Sequence, residues 1–148
     1  MEKLLSDDLI TQIGQVFEKL DQPVHMFLFV SKEKQEACEP TQQLLEELIP
    51  LSDKLAMSVH DLDLEPDLAR LYNVVDKAPA IVIAAKDADQ ITDLGIRYLG
   101  VPSGHEFSTL IQDLLLVSGR DSGLSPQLRT YIKSLTKPLH LQVFVTPT

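Results

Sequence analysis

Cys38 carries the side chain of this sequence that is best suited to covalent chemistry, because a thiolate is a strong nucleophile. It is the single cysteine among the 148 residues, which excludes an intrachain disulfide and a zinc site built from cysteines. Two interpretations are open, a reactive thiol or a small apolar residue buried in the core. The buried residue is favoured, since free cysteine is among the most buried residue types.

The histidines and acidic residues do not form a pattern typical of a metal site. His25, His60, His105 and His140 show no ligand spacing such as H-x-x-x-H, so we expect no metal and no cofactor. The acidic stretch at 61–67 lacks the glycine and the spacing of a calcium loop. It is interpreted as a solvated loop that leads into a helix.

His105 and Glu106 follow a glycine-containing loop, Gly100–Gly104, at the predicted start of a helix. Backbone N–H groups at a helix N-terminus can bind an anion, which makes this a candidate site for an anion or a peptide carboxylate. We favour the simpler interpretation of a helix cap, with Glu106 near the positive end of the helix dipole.

The overall composition is typical of a globular domain with a core. Hydrophobic residues make up 44% of the chain, and its length fits one domain with a little to spare. The net charge of −9 argues against partners rich in phosphate, so we expect neither nucleic acid nor an anionic membrane surface. No apolar stretch is long enough for a membrane span and no signal-peptide pattern is present, so a cytoplasmic location is expected by default.

The elements that would position the candidate residues follow from the spacing of apolar side chains. Two parallel strands joined by a crossover helix, then an antiparallel hairpin and a closing helix, predict a mixed four-stranded sheet with helices on both faces. In chain order we predict a helix at 6–20, a strand at 24–30, a loop at 31–36, a helix that starts near residue 38 or earlier, has Pro40 in its first turn and runs to 49, a strand within 54–62, a short helix at 64–72, strands at 80–85 and 91–99, helices at 105–117 and 126–135, and a strand at 139–145.

An internal repeat relates the two ends of the chain. The segment 20–31 reads LDQPVHMFLFVS and the segment 135–146 reads LTKPLHLQVFVT, with a constant offset of 115, the difference between Pro138 and Pro23. Repeats of this kind indicate a tandem architecture. We therefore predict one unit with an N-terminal helix at 1–119. Residues 120–148 would be the linker, helix and first strand of a truncated second unit.

The element order, with Ala78–Pro79 directly before the third strand, resembles the thioredoxin fold. The segments KLDQPV (19–24), LSDKL (51–55) and RYLGVPSGHEF (97–107) are similar to the protein disulfide oxidoreductases of thermophilic archaea and bacteria, glutaredoxin-like proteins with two tandem thioredoxin units. The same segments resemble the N-terminal redox domain of the flavoprotein subunit of alkyl hydroperoxide reductase. The resemblance covers nearly the whole chain. It implies an α/β, thioredoxin-like fold with a four-stranded mixed sheet, flanking helices and an extra N-terminal helix.

The resemblance also assigns roles to individual residues. The family's C-x-x-C motif falls on residues 35–38, so Gln35 replaces the nucleophilic cysteine and Cys38 is left as a vestigial resolving residue. An amide cannot attack a disulfide, which predicts a degenerate site. Ala78 and Pro79 occupy the place of the family's cis-proline beside the active site. We expect a cis bond and a substrate-binding role there, with a trans proline at a strand start as the alternative.

The resemblance implies a domain of a protein disulfide oxidoreductase, with thiol–disulfide exchange and redox homeostasis as the parent activity. This unit would serve as a scaffold or docking module, and its action on protein thiols and disulfides would pass through the missing second unit, whose C-x-x-C is expected just after Thr148. Two alternatives stay open. One is monothiol or glutathione-linked activity at Cys38, although the family's monothiol enzymes keep the first cysteine instead. The other is a non-redox interaction domain, including a homodimer.

Overall fold

A computed structural model describes residues 3–145 of the chain. Short 3₁₀ turns at Lys32–Lys34 and Ile49–Leu51 flank the second helix. The helices are Asp7–Phe17 (α1), Gln35–Leu48 (α2), Pro66–Leu71 (α3), His105–Ser118 (α4) and Pro126–Lys133 (α5), and the strands are Val24–Val30 (β1), Leu55–Asp61 (β2), Ala80–Asp87 (β3) and Gln90–Leu99 (β4).

The four strands form one mixed sheet in the order β2-β1-β3-β4. β1 and β2 are parallel and are joined by the crossover helix α2, whereas β3 is antiparallel to both β1 and β4. The central strands β1 and β3 are the continuous apolar runs of the sequence, because both faces of a central strand are covered. The predicted mixed sheet with flanking helices is confirmed.

Hydrophobic residues pack on both faces of this sheet. Val24, Met26 and Leu28 of β1 face the larger core, which α1, α2 and α4 cover. Phe27 and Phe29 point the other way, because successive side chains of a strand alternate between faces. They form a second cluster with side chains from the end of α3 and from β3. The full burial of each such side chain contributes about 1.5–3 kcal/mol.

The predicted N-terminal helix is confirmed as α1. Ser6 caps it, since its hydroxyl accepts a hydrogen bond from the backbone N–H of Leu9 at 3.3 Å. Just before the cap, the carboxylate of Glu47 in α2 accepts hydrogen bonds from the N–H groups of Leu4 and Leu5 at 2.8 and 2.9 Å. These two hydrogen bonds hold the backbone of Leu4 and Leu5 against α2.

The second helix begins at Gln35, which agrees with the predicted start near residue 38 or earlier. Residues 31–36, expected to be a loop, hold the 3₁₀ turn and the first residues of α2. The hydroxyl of Ser31 accepts a hydrogen bond from the N–H of Glu33 at 3.3 Å and so starts this turn. As a result Pro40 lies inside α2, and the prediction that it occupies the first turn is wrong.

The predicted strand at 139–145 is wrong for this structure, in which these residues belong to no strand and are exposed. A strand forms only where a neighbour pairs with its N–H and C=O groups, and in the described part of the chain none does so here. The preceding helix, α5, forms as predicted but ends at Lys133. The assignment of residues 120–148 to a second unit stays a prediction. Within residues 3–145, no helix is long and apolar enough to cross a membrane.

Candidate functional site

The N-terminus of α2 holds the residues that the sequence aligned with a redox motif. Gln35 is the first residue of the helix and is exposed, and its side-chain amide donates to Glu39 Oε1 at 2.5 Å. Cys38 lies one turn later on the inner face and is 5% exposed. Its thiol donates a weak hydrogen bond to the carbonyl oxygen of Ser31 at 3.8 Å. The burial expected for Cys38 is confirmed, and the absence of a reactive role stays a prediction.

The surface around this helix start carries charges of both signs. Residues 32–37 line a shallow depression of about 420 Å³, where Lys32 and Lys34 are exposed as well as Glu33 and Glu36. The partial positive charge of a helix N-terminus and the two lysines favour an anionic nucleophile, whereas the carboxylates oppose it. The missing sulfur at residue 35, rather than the local charge, therefore distinguishes this helix start from a dithiol site.

The Ala78–Pro79 peptide bond is cis, as predicted. Both side chains are buried, and the carbonyl oxygen of Pro79 accepts a hydrogen bond from the N–H of Gly100 at 2.8 Å. Lys34 Nζ donates to the carbonyl oxygen of Asp76 at 3.0 Å. This bond brings the start of α2 to the loop that precedes the cis-proline.

The residues that the sequence predicted for the site thus meet at one end of the sheet. β1 ends there, and the antiparallel strand β3 begins there. The helix start with Gln35 and Cys38 lies on one side, and the loop of Ala78 and Pro79 lies on the other. Whether this loop binds a substrate stays a prediction.

His105 and Glu106 start α4 near the same end of the sheet, after the loop that follows β4. Both are exposed, and Gly104 precedes them with a φ of +56°, a conformation that glycine adopts without strain. The position of Glu106 in the first turn of α4 agrees with the favoured helix-start interpretation. Among residues 3–145, no group of three or more metal-ligating side chains could hold a metal ion.

One polar cluster was not expected from the sequence. His25 of β1, Ser58 and His60 of β2, and Glu65 before α3 form a continuous chain of hydrogen bonds. The signal available in the sequence was weak, because Ser58 and His60 are two residues apart and so share a face of β2. The neighbouring position of His25 follows only from the pairing of the two strands.

The order of the strands, the cis-proline before β3 and the helix that begins directly after β1 together define the chain as a thioredoxin-like unit. This unit has one cysteine, Cys38, where a two-cysteine site would have a pair. No protein-family model matches the chain.

The proteins that this unit resembles in sequence are alkyl hydroperoxide reductases of the AhpF type. It is 26% identical over 132 residues to the alkyl hydroperoxide reductase AhpF of Xanthomonas campestris pv. phaseoli, a match that covers 89% of this chain and 22% of the relative. In structure it is similar to the NTD_N/C domain of AhpF from Enterococcus faecalis. That match has a TM-score of 0.76 and 26% identity, and covers 90% of this chain and 62% of the other.

A protein disulfide oxidoreductase from Aeropyrum pernix shares the fold. The TM-score is 0.74 at 24% identity, over 88% of this chain and 55% of that one. The chain spans about a quarter of the length of the curated relatives that it matches. The resemblance to AhpF and to a protein disulfide oxidoreductase that was expected from the sequence is therefore confirmed, and the tandem arrangement stays a prediction.

Proposed function

We propose that this chain is a degenerate thioredoxin-like unit of a cytoplasmic protein disulfide oxidoreductase, in which it acts as a scaffold or docking module. A second thioredoxin-like unit of the same protein would carry out the exchange of thiols and disulfides. The internal repeat and the similarity to AhpF and to the oxidoreductase from Aeropyrum pernix support this proposal.

The observation that carries the proposal is the exposed amide of Gln35 at the start of α2. In a dithiol reaction, a thiolate attacks one sulfur of a substrate disulfide, so that one S–S bond forms as another breaks and a thiolate leaves. A second cysteine then attacks the mixed disulfide. The substrate leaves with both sulfurs reduced, and the enzyme holds a disulfide and has lost two electrons. The single cysteine of this chain cannot complete that sequence.

The burial of Cys38 argues against the alternative of a monothiol activity. A thiol that exchanges with glutathione or with a protein needs an accessible sulfur with thiolate character. Cys38 is 5% exposed, and its sulfur lies on the inner side of α2, 3.8 Å from the carbonyl oxygen of Ser31, so a substrate cannot reach it without a movement of the helix.

The loops beside the site supply the features of a docking surface. Val75 and Val101 are 47% and 38% exposed and lie close in sequence to the cis-proline and to Gly100, which bonds to it. An exposed apolar side chain gains free energy when a partner removes it from water, which favours contact with another protein. We infer that a protein partner, a second copy of the chain included, would contact this end of the sheet.

An insulin-reduction assay with dithiothreitol tests the proposal. The matched control is Cys38→Ser, which removes the only sulfur nucleophile. We expect the wild-type chain and the variant to precipitate insulin no faster than dithiothreitol alone. A wild-type rate comparable to that of a two-cysteine thioredoxin, abolished in Cys38→Ser, would overturn the degenerate-site proposal.

A further inference from the structure

A chain of hydrogen bonds leads from the surface into the sheet face that carries Phe27. It begins at Glu65, whose side chain is 41% exposed and whose carboxylate lies 2.9 Å from His60 Nδ1. It continues from His60 Nε2 to the hydroxyl oxygen of Ser58 at 2.8 Å and from there to His25 Nε2 at 2.9 Å. The other ring nitrogen of His25, Nδ1, is buried and has no hydrogen-bond partner among the described residues.

The chemistry of the four groups fixes the direction of these bonds when both histidines are neutral. A carboxylate only accepts, so His60 carries its proton on Nδ1 and its Nε2 accepts from Ser58. A serine hydroxyl has one proton, which Ser58 donates to His60. In its other hydrogen bond the oxygen of Ser58 must therefore accept from the Nε2–H of His25. His25 Nδ1 is then a bare lone pair, which matches the missing partner.

Uptake of one proton reverses the direction of both hydrogen bonds that join the two imidazole rings through Ser58. If a proton is added at His25 Nδ1, the Nε2 proton of His25 can pass to Ser58, and the hydroxyl proton of Ser58 can pass to His60 Nε2. One proton has then been taken up from water. His60 becomes a cation beside Glu65, and His25 is again neutral but carries its proton on Nδ1.

We propose that this cluster is a pH-sensitive proton relay, in which His60 holds the added proton and half-buried His25 responds by exchanging its Nε2–H for an Nδ1–H. This relay goes beyond the proposed function and does not depend on it. At low pH the ion pair of His60 and Glu65 ties β2 more tightly to the start of α3. At the same time a buried N–H donor appears at the other end of the chain.

The charged groups around the two rings differ. From the segment before α3, the carboxylate of Glu65 lies 2.9 Å from His60 Nδ1 and would form an ion pair with a protonated His60 ring. From β3, Lys86 faces His25, and burial, the lysine charge and His60, in that order, lower the pKa of His25. From the end of α3, the ring of Tyr72 packs on Phe27 at a centroid distance of 4.8 Å, and Phe27 in turn packs against the rings of His25 and His60.

The acid–histidine–serine order also occurs in serine hydrolases, but the geometry here favours a relay. Ser58 lies in the middle of β2, where the backbone N–H groups lie in the plane of the sheet and the side chain projects from its face. Such N–H groups do not point at an oxygen bound to the serine hydroxyl, as an oxyanion hole requires. In addition, both sides of the hydroxyl are occupied by imidazoles.

Nuclear magnetic resonance of the full chain with ¹⁵N-labelled histidine tests the relay, since ring nitrogen shifts report which nitrogen is protonated. As the pH is lowered and His60 becomes doubly protonated, His25 should change from the Nε2–H to the Nδ1–H tautomer while staying neutral. The relay is refuted if His25 keeps Nε2–H throughout, or if it becomes doubly protonated together with His60.

Variants of Ser58 separate the relay from a general effect of pH. In Ser58→Ala the tautomer of His25 should no longer follow the charge of His60, whereas Ser58→Thr keeps the hydroxyl and should keep the coupling. Ser108→Ala, at an exposed serine of α4, is the matched control and should behave as wild type. Coupling that persists in folded Ser58→Ala would contradict the relay, and the wild-type titration decides the question if that variant does not fold.

Discussion

Replacement of Gln35 by cysteine would restore a two-cysteine motif at the start of α2. The new thiol would stand at an exposed position, and its partner Cys38 is buried one turn later. If this site keeps the architecture of a thioredoxin-like unit, mild oxidation of Gln35→Cys should form a disulfide between residues 35 and 38 without moving the helix.

The size of the effect follows from the length of the closed loop. The disulfide would link residues 35 and 38 and so close a loop of four residues. Restriction of the unfolded chain by such a short loop stabilises the oxidised protein by about 2 kcal/mol. With a urea dependence typical of a small domain, this corresponds to a rise of about 1 M in the unfolding midpoint.

Urea denaturation of oxidised and reduced Gln35→Cys, followed by circular dichroism, measures this difference. Gln35→Ser is the matched control, because its hydroxyl replaces the new thiol and cannot form a disulfide, so oxidant should not change its midpoint. The reasoning is refuted if both thiols stay free after oxidation. It is also refuted if the oxidised protein unfolds at lower urea than the reduced protein.

Three further predictions concern contacts that hold the unit together. Ser118 is fully buried and makes three hydrogen bonds to the backbone before β1, so Ser118→Ala should lower the free energy of unfolding by about 2–4 kcal/mol in urea denaturation. The hydroxyl of Tyr98 donates to Asp113 at 2.6 Å, so Tyr98→Phe should cost about 1–2 kcal/mol by the same measurement, and no loss would contradict the contact. Burial raises the pKa of Glu47, but hydrogen bonds, mainly from backbone N–H groups that include that of Leu5, lower it below 4.5 overall. This stabilisation is therefore present above pH 4.5 and is lost as the pH falls through the folded-state pKa. The protection factor of the Leu5 amide, which corrects for the pH dependence of intrinsic hydrogen exchange, should fall over that range in the wild type, and in Glu47→Ala, which has no acceptor oxygen, it should be low at every pH.

The sheet could be predicted from the sequence because its signals are local. The apolar runs of β1 and β3 and the polar turn before β4 are visible without any knowledge of the fold. The cis bond before Pro79 came from the resemblance to a family, since a proline alone gives a low probability of a cis bond. The missing nucleophile at Gln35 likewise follows from the alignment of a motif and needs no coordinates.

Other features depend on contacts that a sequence does not show. The exact start of α2 could not be read from the sequence because Lys34, at its cap position, makes no side-chain capping bond and gives no signal. The strand predicted at 139–145 has the right composition, but composition does not supply a neighbouring strand. The cluster of His25 and Ser58 requires the register in which Phe27 pairs with Ser58, and this register is a property of the folded sheet.

The reactivity of Cys38 in the native protein tests the central claim most directly, because the claim is that this unit keeps the fold without an accessible nucleophile. Titration with a coloured disulfide reagent at pH 8 should detect no rapidly reacting thiol in the folded chain and one thiol per chain in denaturant. Prompt and complete reaction of one thiol in the folded chain, at the rate of an exposed cysteine, would contradict the account.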